Sequence, residues 1–410
     1  MGAVVGSCAA CCALNTVDLK SAARLPSATA NDVRLLCCGA EYFPALLAAI
    51  QAATAEIHLE TYIFADDVTG RQIAQALVDA ARRGVLVHVV YDGFGSSTWI
   101  GGIDEQLRVG GVQVAVYRPE SGWQLLRRSR LRRMHRKIAV IDGRIAFIGG
   151  INVIDDLNMS APCSPRFDFA VSLRGPLVEL IEAVTDKLWR RLQRLRLSDA
   201  LDAALPDDPP TIVAPVADAR SAWFAVRDNL SHRRDIEQEY LIAIGKAKTE
   251  VILANAYFVP GRRFRRALID AAERGVKIRL LLQGRQEYWL QHFATRALYG
   301  ALLAAGVEIH DYERSFLHAK VAVVDGRWAT VGSSNIDPFS LLLAREANVF
   351  VDDVAFASEL RERLEQAIKT DSSPVLPAHW GRRSWWNRTL TWVAYGVARG
   401  MLGVMGYGRH

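Results

Sequence analysis

The sequence predicts an α/β fold built twice: two mixed β-sheets, each flanked by helices, with an active site at the pseudo-twofold interface between them. Three observations predict it. The chain has 410 residues, more than one hydrophobic core ordinarily sustains, so two domains are expected. The order strand, helix, strand occurs early and recurs after residue 245, and that order is the unit of parallel strand pairing. One short pattern is also written twice, as HRKIAVIDG (His135, Lys137, Asp142) and HAKVAVVDG (His318, Lys320, Asp325).

The elements follow in order. Residues 41–53 (EYFPALLAAIQAA) have a helical pattern, and EIHLETYIF at 56–64 is a strand. RQIAQALVDAARRG is an amphipathic helix leading to a strand at 85–93, and a further helix leads to VQVAVY at 112–117. In the second copy TEVILANAYFVP mirrors AEIHLETYIFAD, AAERGVKIRLLL mirrors AARRGVLVHVVY, and AGVEIHDYER mirrors GGVQVAVYRP. Two copies of ~190 residues make a duplication, too few for a solenoid. The boundaries drawn from the pattern are a poorly ordered N-terminal segment at 1–40, a first domain at 41–197, an acidic, Pro-rich linker at 198–219, a second domain at 220–377 and a tail at 378–410.

Each motif continues into a Gly-rich turn, Gly149-Gly150-Ile151-Asn152 and Gly332-Ser333-Ser334-Asn335. In H-x-K-x-A-V apolar residues alternate and β-branched residues dominate, so a strand is expected. A strand sends i and i+2 to one face, placing each His beside its Lys. Imidazole, ammonium and amide together suit an anionic tetrahedral group such as phosphate. Two facing copies offer one imidazole to attack phosphorus and another to protonate the leaving oxygen. The ammonium groups supply the positive field a metal would, so no metal and no cofactor is expected. Gly150 stands where the second copy has Ser333, a difference of one hydroxyl contact.

At these residues the chain resembles the phospholipase D superfamily, whose signature is H-x-K-x4-D followed by G-[GS]-x-N. The resemblance runs from about Glu56 to Glu346 and is strongest to the bacterial cardiolipin synthase (cardiolipin synthase B-like) subgroup, whose wording VRDNLSHRRDIEQEYLIAI shares. It implies a phosphatidyltransferase acting on phosphatidylglycerol through a phosphohistidine, with His135 as nucleophile and His318 as acid. The implied catalytic set is His135, Lys137, Asp142, His318, Lys320 and Asp325, with the two Asp residues orienting the turn after the strand. Asn152, Asn335 and Ser333 are implied to hold phosphate oxygens. Asp168 and Glu346 are implied to bond the second nitrogen of the imidazoles, within a half or across the interface. The alternative is a hydrolase with the same two histidines, acting on phospholipid or nucleic acid. His232 is not expected to be a third catalytic group.

The net charge of +6 and pI of about 9.0 imply an anionic partner. The first copy carries about twelve extra residues before its motif, in which Arg127, Arg128, Arg130, Arg132 and Arg133 interleave with Trp123, Leu125, Leu126 and Leu131. This reads as a lip gripping anionic lipid headgroups, although charge alone would suit nucleic acid equally. The tail sets Trp380, Trp385, Trp386 and Trp392 beside Arg382, Arg383 and Arg388. Its apolar run from Thr389 to Tyr407 is interrupted by Arg399, which favours a helix lying in the membrane interface over a span; a helix packed on the protein is the other reading. The expected partner is therefore an anionic membrane of phosphatidylglycerol and cardiolipin, on the cytoplasmic side of the inner membrane, with neither nucleic acid nor an obligate protein partner. Five of the six cysteines precede residue 40, a poor disulfide framework, and Cys8-Ala-Ala-Cys11 lacks a second ligand pair for zinc.

Overall fold

A computed structural model describes residues 31–119, 132–157, 165–197, 221–227, 232–286, 289–337, 344–381, 389 and 391–397. The first half contains β1 (Asp32–Cys37), α1 (Cys38–Ala52), β2 (Glu56–Thr61), α2 (Val68–Arg82), β3 (Leu86–Asp92), α3 (Ile103–Val109), β4 (Gln113–Tyr117), β5 (Arg133–Met134), β6 (Lys137–Ile141), β7 (Ile145–Gly149), β8 (Phe169–Arg174) and α4 (Leu177–Leu197). The second contains β9 (Ser221–Arg227), α5 (Asp235–Lys246), β10 (Glu250–Asn255), α6 (Arg262–Glu273), β11 (Lys277–Gln283), α7 (Trp289–Arg296), α8 (Tyr299–Ala304), β12 (Glu308–Tyr312), β13 (Lys320–Val324), β14 (Trp328–Gly332), β15 (Ala344–Asp352), α9 (Val354–Asp371), β16 (Ser372–Pro374) and α10 (Pro377–Gly381).

Seven strands of the second sheet repeat the first sheet in order, and the second adds β16 beside β12 and β5 beside β15. The first runs β1-β8-β7-β6-β2-β3-β4, and the second runs β15-β14-β13-β10-β11-β12, with β9 paired to β15 as β1 is to β8. β2, β3 and β4 are parallel, as are β10, β11 and β12, while the motif strands β6 and β13 join antiparallel. The crossover helices form for local reasons. Asp67 accepts from the Gly70 N–H and caps α2, and Asp353 does the same for Phe356 at α9, each worth about 1 kcal/mol against Ala. In α2, Ile73, Ala74, Leu77 and Val78 make the buried stripe, the helical spacing of an amphipathic face.

The inner faces of the two sheets meet in one continuous core. Ile138, Val140, Ile148 and Val171 of the first half share it with Val321, Val323, Val331 and Val349 of the second, and α4 and α9 pack into it through Leu177, Ile181, Leu360 and Leu364. Separate outer cores lie under α1, α2 and α3, and under α5, α6 and α8. A layer shared by both halves fixes their relative position to within packing tolerance, which the active site requires.

One boundary needs correction. The first domain begins at β1, not at 41, because Asp32–Cys37 pairs antiparallel with β8 along its whole length. Residues 1–30 and the whole of the 198–219 linker lie outside the described residues.

Candidate active site

Both motif histidines sit just ahead of a strand, not on it, since β6 begins at Lys137 and β13 at Lys320. The His–Lys proximity survives in another form. Lys137 Nζ donates to the His135 carbonyl at 2.5 Å, and Lys320 Nζ donates to the His318 carbonyl. The residue before each histidine is clamped from the end of a neighbouring strand: Asp92 accepts the Met134 N–H at 2.8 Å, and Gln283 accepts the Leu317 N–H at 3.4 Å.

What fixes each imidazole comes from the other half. The His135 N–H donates to the Arg345 carbonyl at 2.9 Å, and the His318 N–H donates to the Phe167 carbonyl at 2.8 Å. The next residues along are Glu346 and Asp168, and their carboxylates take the ring nitrogens. His135 Nδ1 lies 3.0 and 3.1 Å from the two Glu346 oxygens, and His318 Nδ1 lies 2.6 Å from Asp168 Oδ2. The pairing therefore crosses the interface twice. With Nδ1 engaged on both rings, Nε2 is the nitrogen left to react.

The site is largely buried and charged. Burial lowers both imidazoles, and His318 falls well below its ordinary value, helped by Lys320, Arg166, Lys137 and His135 itself. At His135 the Glu346 charge opposes that fall. Burial lowers the Lys137 ammonium to about 7 and raises the Asp168 carboxyl to about 6. Burial also pushes Glu346 up, but His135, Lys137 and the Ser333 hydroxyl outweigh it and hold Glu346 below the usual carboxylate range. The charged form of a buried group persists only where partners compensate its lost hydration, and the partners outweigh burial at Glu346 but not at Asp168.

Ser333 departs from expectation. Its hydroxyl donates to Glu346 Oε2 at 2.5 Å and accepts the Ala347 N–H at 3.0 Å, so it supports a carboxylate and is not a phosphate ligand. Gly150 has no such role: a Cβ there would meet Asp168 Oδ1 at 2.3 Å. Asn152 accepts the Ile63 N–H through Oδ1 at 3.1 Å, which orients its amide and leaves the NH2 as the donor for an anion. Asn335 is buried, with Oδ1 lacking a hydrogen-bond partner among the described residues.

Asp142 and Asp325 do not join the cluster. Asp142 accepts the N–H groups of Thr54, Ala55 and Glu56, and Asp325 those of Lys248, Thr249 and Glu250. Burial raises both carboxyls, but these backbone N–H bonds outweigh it and hold them below their ordinary value. They tie down the loops entering β2 and β10, from turn positions with φ of 53° and 51°, at the far end of the motif strands from the histidines. Their place in the motif is structural.

Of the proposed lip, Arg127, Arg128 and Arg130 lie outside the described residues, as do Trp385 and Trp386 of the tail. Arg132 is half-buried, and its carbonyl accepts from Arg118. Arg133 is drawn inward: it lies 3.8 Å from the fully buried Asp92 and over the Phe94 ring at 4.7 Å. A buried carboxylate without a cation is costly, so Arg133 is not an exposed headgroup contact. The tail's 391–397 helix buries Thr391 and Ala394 while leaving Trp392, Val393 and Val397 exposed, and Tyr395 packs on the second half. It is thus docked on the protein along one face and apolar on the other. Among the described residues no helix is long and apolar enough to cross a membrane. His232 pairs with Asp235 at 2.7 Å.

Sequence reasoning missed three contributors. Tyr62 stands edge-on to His135, ring centres 4.9 Å apart, with Lys137 Nζ 5.4 Å from its own ring centre. Arg136, between the motif His and Lys, forms a buried pair with Glu60, whose rupture would cost about 3–5 kcal/mol. Asp92 was visible only as the last polar residue of a strand, VVYD.

A duplicated α/β fold with two reciprocally braced H-x-K sites is the architecture of the phospholipase D class. A family model described as cardiolipin synthase, phospholipase D-like domain, matches residues 46–160 and 240–368. Cardiolipin synthase B of Shigella flexneri and that of Escherichia coli K12 are each 39% identical over 387 residues, covering 92% of this chain and 90% of theirs. A probable cardiolipin synthase of Bacillus subtilis is 28% identical over 369 residues, covering 90% of this chain and 72% of its own. Among solved structures, phosphatidylserine synthase of Haemophilus influenzae superposes with a TM-score of 0.68 at 11% identity, over 94% of this chain and 97% of that one, a likeness of fold. The chain belongs to the cardiolipin synthase, phospholipase D-like family.

Proposed function

We propose that the protein is a cardiolipin synthase-type phosphatidyltransferase that moves a phosphatidyl group from phosphatidylglycerol to the hydroxyl of a second lipid. The observation that carries this reading is the crossed bracing of the two imidazoles by Glu346 and Asp168, supported by the 39% identity to cardiolipin synthases over nearly the whole chain.

His135 Nε2 attacks phosphorus, forming a P–N bond as the P–O bond to glycerol breaks. The departing glycerol oxygen takes a proton from His318 Nε2. The neutral His318 then removes the proton from the acceptor hydroxyl, whose oxygen attacks phosphorus and expels His135. Both histidines return to their starting state, and the net change is the exchange of the P–O bond to glycerol for a P–O bond to the acceptor, with the acceptor's proton replacing the one that left on glycerol. Lys137 and Lys320, with the amide groups of Asn152 and Asn335, neutralise the phosphoryl oxygens as charge builds. His135 is taken as the nucleophile and His318 as the acid; the unequal braces, Glu346 held below the usual carboxylate range and Asp168 raised to about 6, make the two rings distinguishable by experiment.

The membrane reading is also part of the proposal. Phe94 and Trp99 are exposed on the loop after β3, beside the segment entering His135, and Trp392, Val393 and Val397 add an apolar tail face. Such residues insert into an interface from the side where the substrate headgroup must enter. That side faces the cytoplasm and anionic lipid, with nucleic acid not a substrate.

The test is incubation of purified protein with phosphatidylglycerol vesicles, without added metal, and resolution of the lipid products. Cardiolipin plus free glycerol is expected, reduced at least ~10⁴-fold in both His135→Ala and His318→Ala. Phosphatidic acid alone would make water the acceptor and overturn transfer.

A further inference from the structure

Phosphoryl transfer does not use the cluster at the opposite end of β2 and β3. Glu56 and His58 lie at the start of β2, His88 is paired with His58 across the parallel ladder, and Asp186 reaches them from α4. His58 Nε2 is 2.8 Å from Glu56 Oε1 and 3.3 Å from Asp186 Oδ1, and His88 Nδ1 is 3.2 Å from the same Glu56 oxygen. Both imidazole side chains are buried, 3% and 8% exposed. The angles are wrong for hydrogen bonds, so His58 Nε2 and His88 Nδ1 remain without hydrogen-bond partners among the described residues. Trp189 stacks on His88, ring centres 4.2 Å apart, and holds its plane.

The second half shows what this corner ordinarily needs. There Glu250 stands in the place of Glu56, Ile252 in that of His58 and Arg279 in that of His88, by strand register. Arg279 bonds Glu250 at 2.7 Å and Glu365 of α9 at 2.9 Å, and Arg361 of α9 bonds the same two carboxylates. Two guanidinium groups neutralise two carboxylates and tie helix to sheet. The first half keeps the carboxylates, replaces the buried cation with imidazoles, and turns one nitrogen of each ring towards the carboxylates. Arg190 engages only the outer oxygen of Asp186, from a largely exposed position.

We propose that Glu56, His58, His88 and Asp186 form a binding site for one divalent transition-metal ion of the zinc class, fastening α4 to β2 and β3. Two imidazoles and two carboxylates are a donor set such ions accept. Bonds of about 2.0–2.2 Å at tetrahedral angles put neighbouring donor atoms roughly 3.3–3.6 Å apart. The His58–Glu56, His88–Glu56 and His58–Asp186 separations of 2.8–3.3 Å need only a small expansion; the donors of Glu56, His58 and His88 lie within 4.8 Å of one another, and Asp186 joins this trio through His58. Glu56 and Asp186, about a third exposed, open the way in. The ion is structural and stands outside the transfer chemistry.

The test is Co²⁺ titration of the chelator-stripped, full-length protein, read by visible absorption, with Zn²⁺ competition and thermal melts. One equivalent per chain is expected, with the bands of a four-coordinate site, displaced by Zn²⁺, and a melting temperature that Zn²⁺ raises. His58→Ile with His88→Arg imports the second half's own solution and should fold, bind no Co²⁺ and melt independently of Zn²⁺. Glu56→Gln, which preserves shape, should weaken Co²⁺ at least ~100-fold. Absence of stoichiometric binding to the stripped protein, or binding unchanged in these variants, overturns the site. Because the readout is metal and not lipid, the result stands apart from the outcome of the transferase assay.

Discussion

The two halves share strand order, motif and bracing geometry, yet they differ wherever charge is buried. Around His135 the brace is Glu346, itself held by the Ser333 hydroxyl and the His135 contact. Around His318 the brace is Asp168, shorter by one methylene, lodged against Gly150 with no hydroxyl available. The longer carboxylate reaches past a side chain, and the shorter one fits only because that side chain is absent. A symmetric pair of imidazoles would have equal proton affinities, and in-line transfer needs one neutral ring and one protonated ring. Duplication supplied the geometry, and the divergence of these braces makes the two rings chemically unequal.

The sharpest way to break the comparison is to neutralise each brace in turn. Asp168→Asn and Glu346→Gln should each lower the rate with phosphatidylglycerol by ~10³–10⁴-fold, the scale for removing a carboxylate behind a catalytic imidazole. They should then part company with a substrate whose leaving group is p-nitrophenolate, which needs no proton. Asp168→Asn, acting through the acid His318, should recover most of its loss, while Glu346→Gln, acting through the nucleophile His135, should not. Recovery in the opposite variant would reverse the roles, and a merely structural effect would leave both equally slow on both substrates.

A smaller effect comes from exchanging the neighbours. Gly150→Ser puts a Cβ 2.3 Å from Asp168 Oδ1, so Asp168 must leave His318, and a loss of ~10²-fold is expected. Ser333→Ala removes one charge-assisted hydrogen bond from Glu346, worth about 1.5–3 kcal/mol, for roughly ten- to a hundredfold in kcat. Steady-state kinetics on both variants checks the order. Equal losses would mean that the two braces are interchangeable after all.

Much of this was legible in the sequence for a physical reason: strand and helix periods are local, and a duplication shows the same local pattern twice. The two H-x-K motifs, the tandem mixed sheets and the strand and helix that close each half follow from such patterns. The bracing partners do not, because His318 and Asp168 are 150 residues apart and His135 and Glu346 are 211 apart, so only the docked interface decides which meets which. β1 was missed because six residues of strand have little signal without their partner β8. Ser333 was assigned to phosphate because its motif position says nothing of a carboxylate arriving from β15. Arg133 looked like part of an exposed basic run until the buried Asp92 claimed it. His58 and His88 are unremarkable in their strands, and only the parallel register brings them together.

The subtlest expected effect is in pH. Lys137 is lowered by burial to about 7, so its ammonium is present below that pH and lost above it. Since the ammonium is what neutralises the phosphoryl oxygens, kcat/KM, which reports the free enzyme, should fall as pH rises through about 7. A bound phosphodiester anion favours the charged amine, so the same limb in kcat should lie at higher pH, by about one unit. Lys137→Arg keeps its charge throughout and should abolish the limb, at some cost in rate from misplaced donors. The stability sign runs the other way. With a folded value below the unfolded 10.5, this group makes the fold more stable as pH climbs from about 7 towards 10.5, and less stable as pH falls back to 7. The form of the site that can hold phosphate is thus the form the fold tolerates least, and a melting temperature that rises with pH while kcat/KM falls would show both sides of that opposition in one protein.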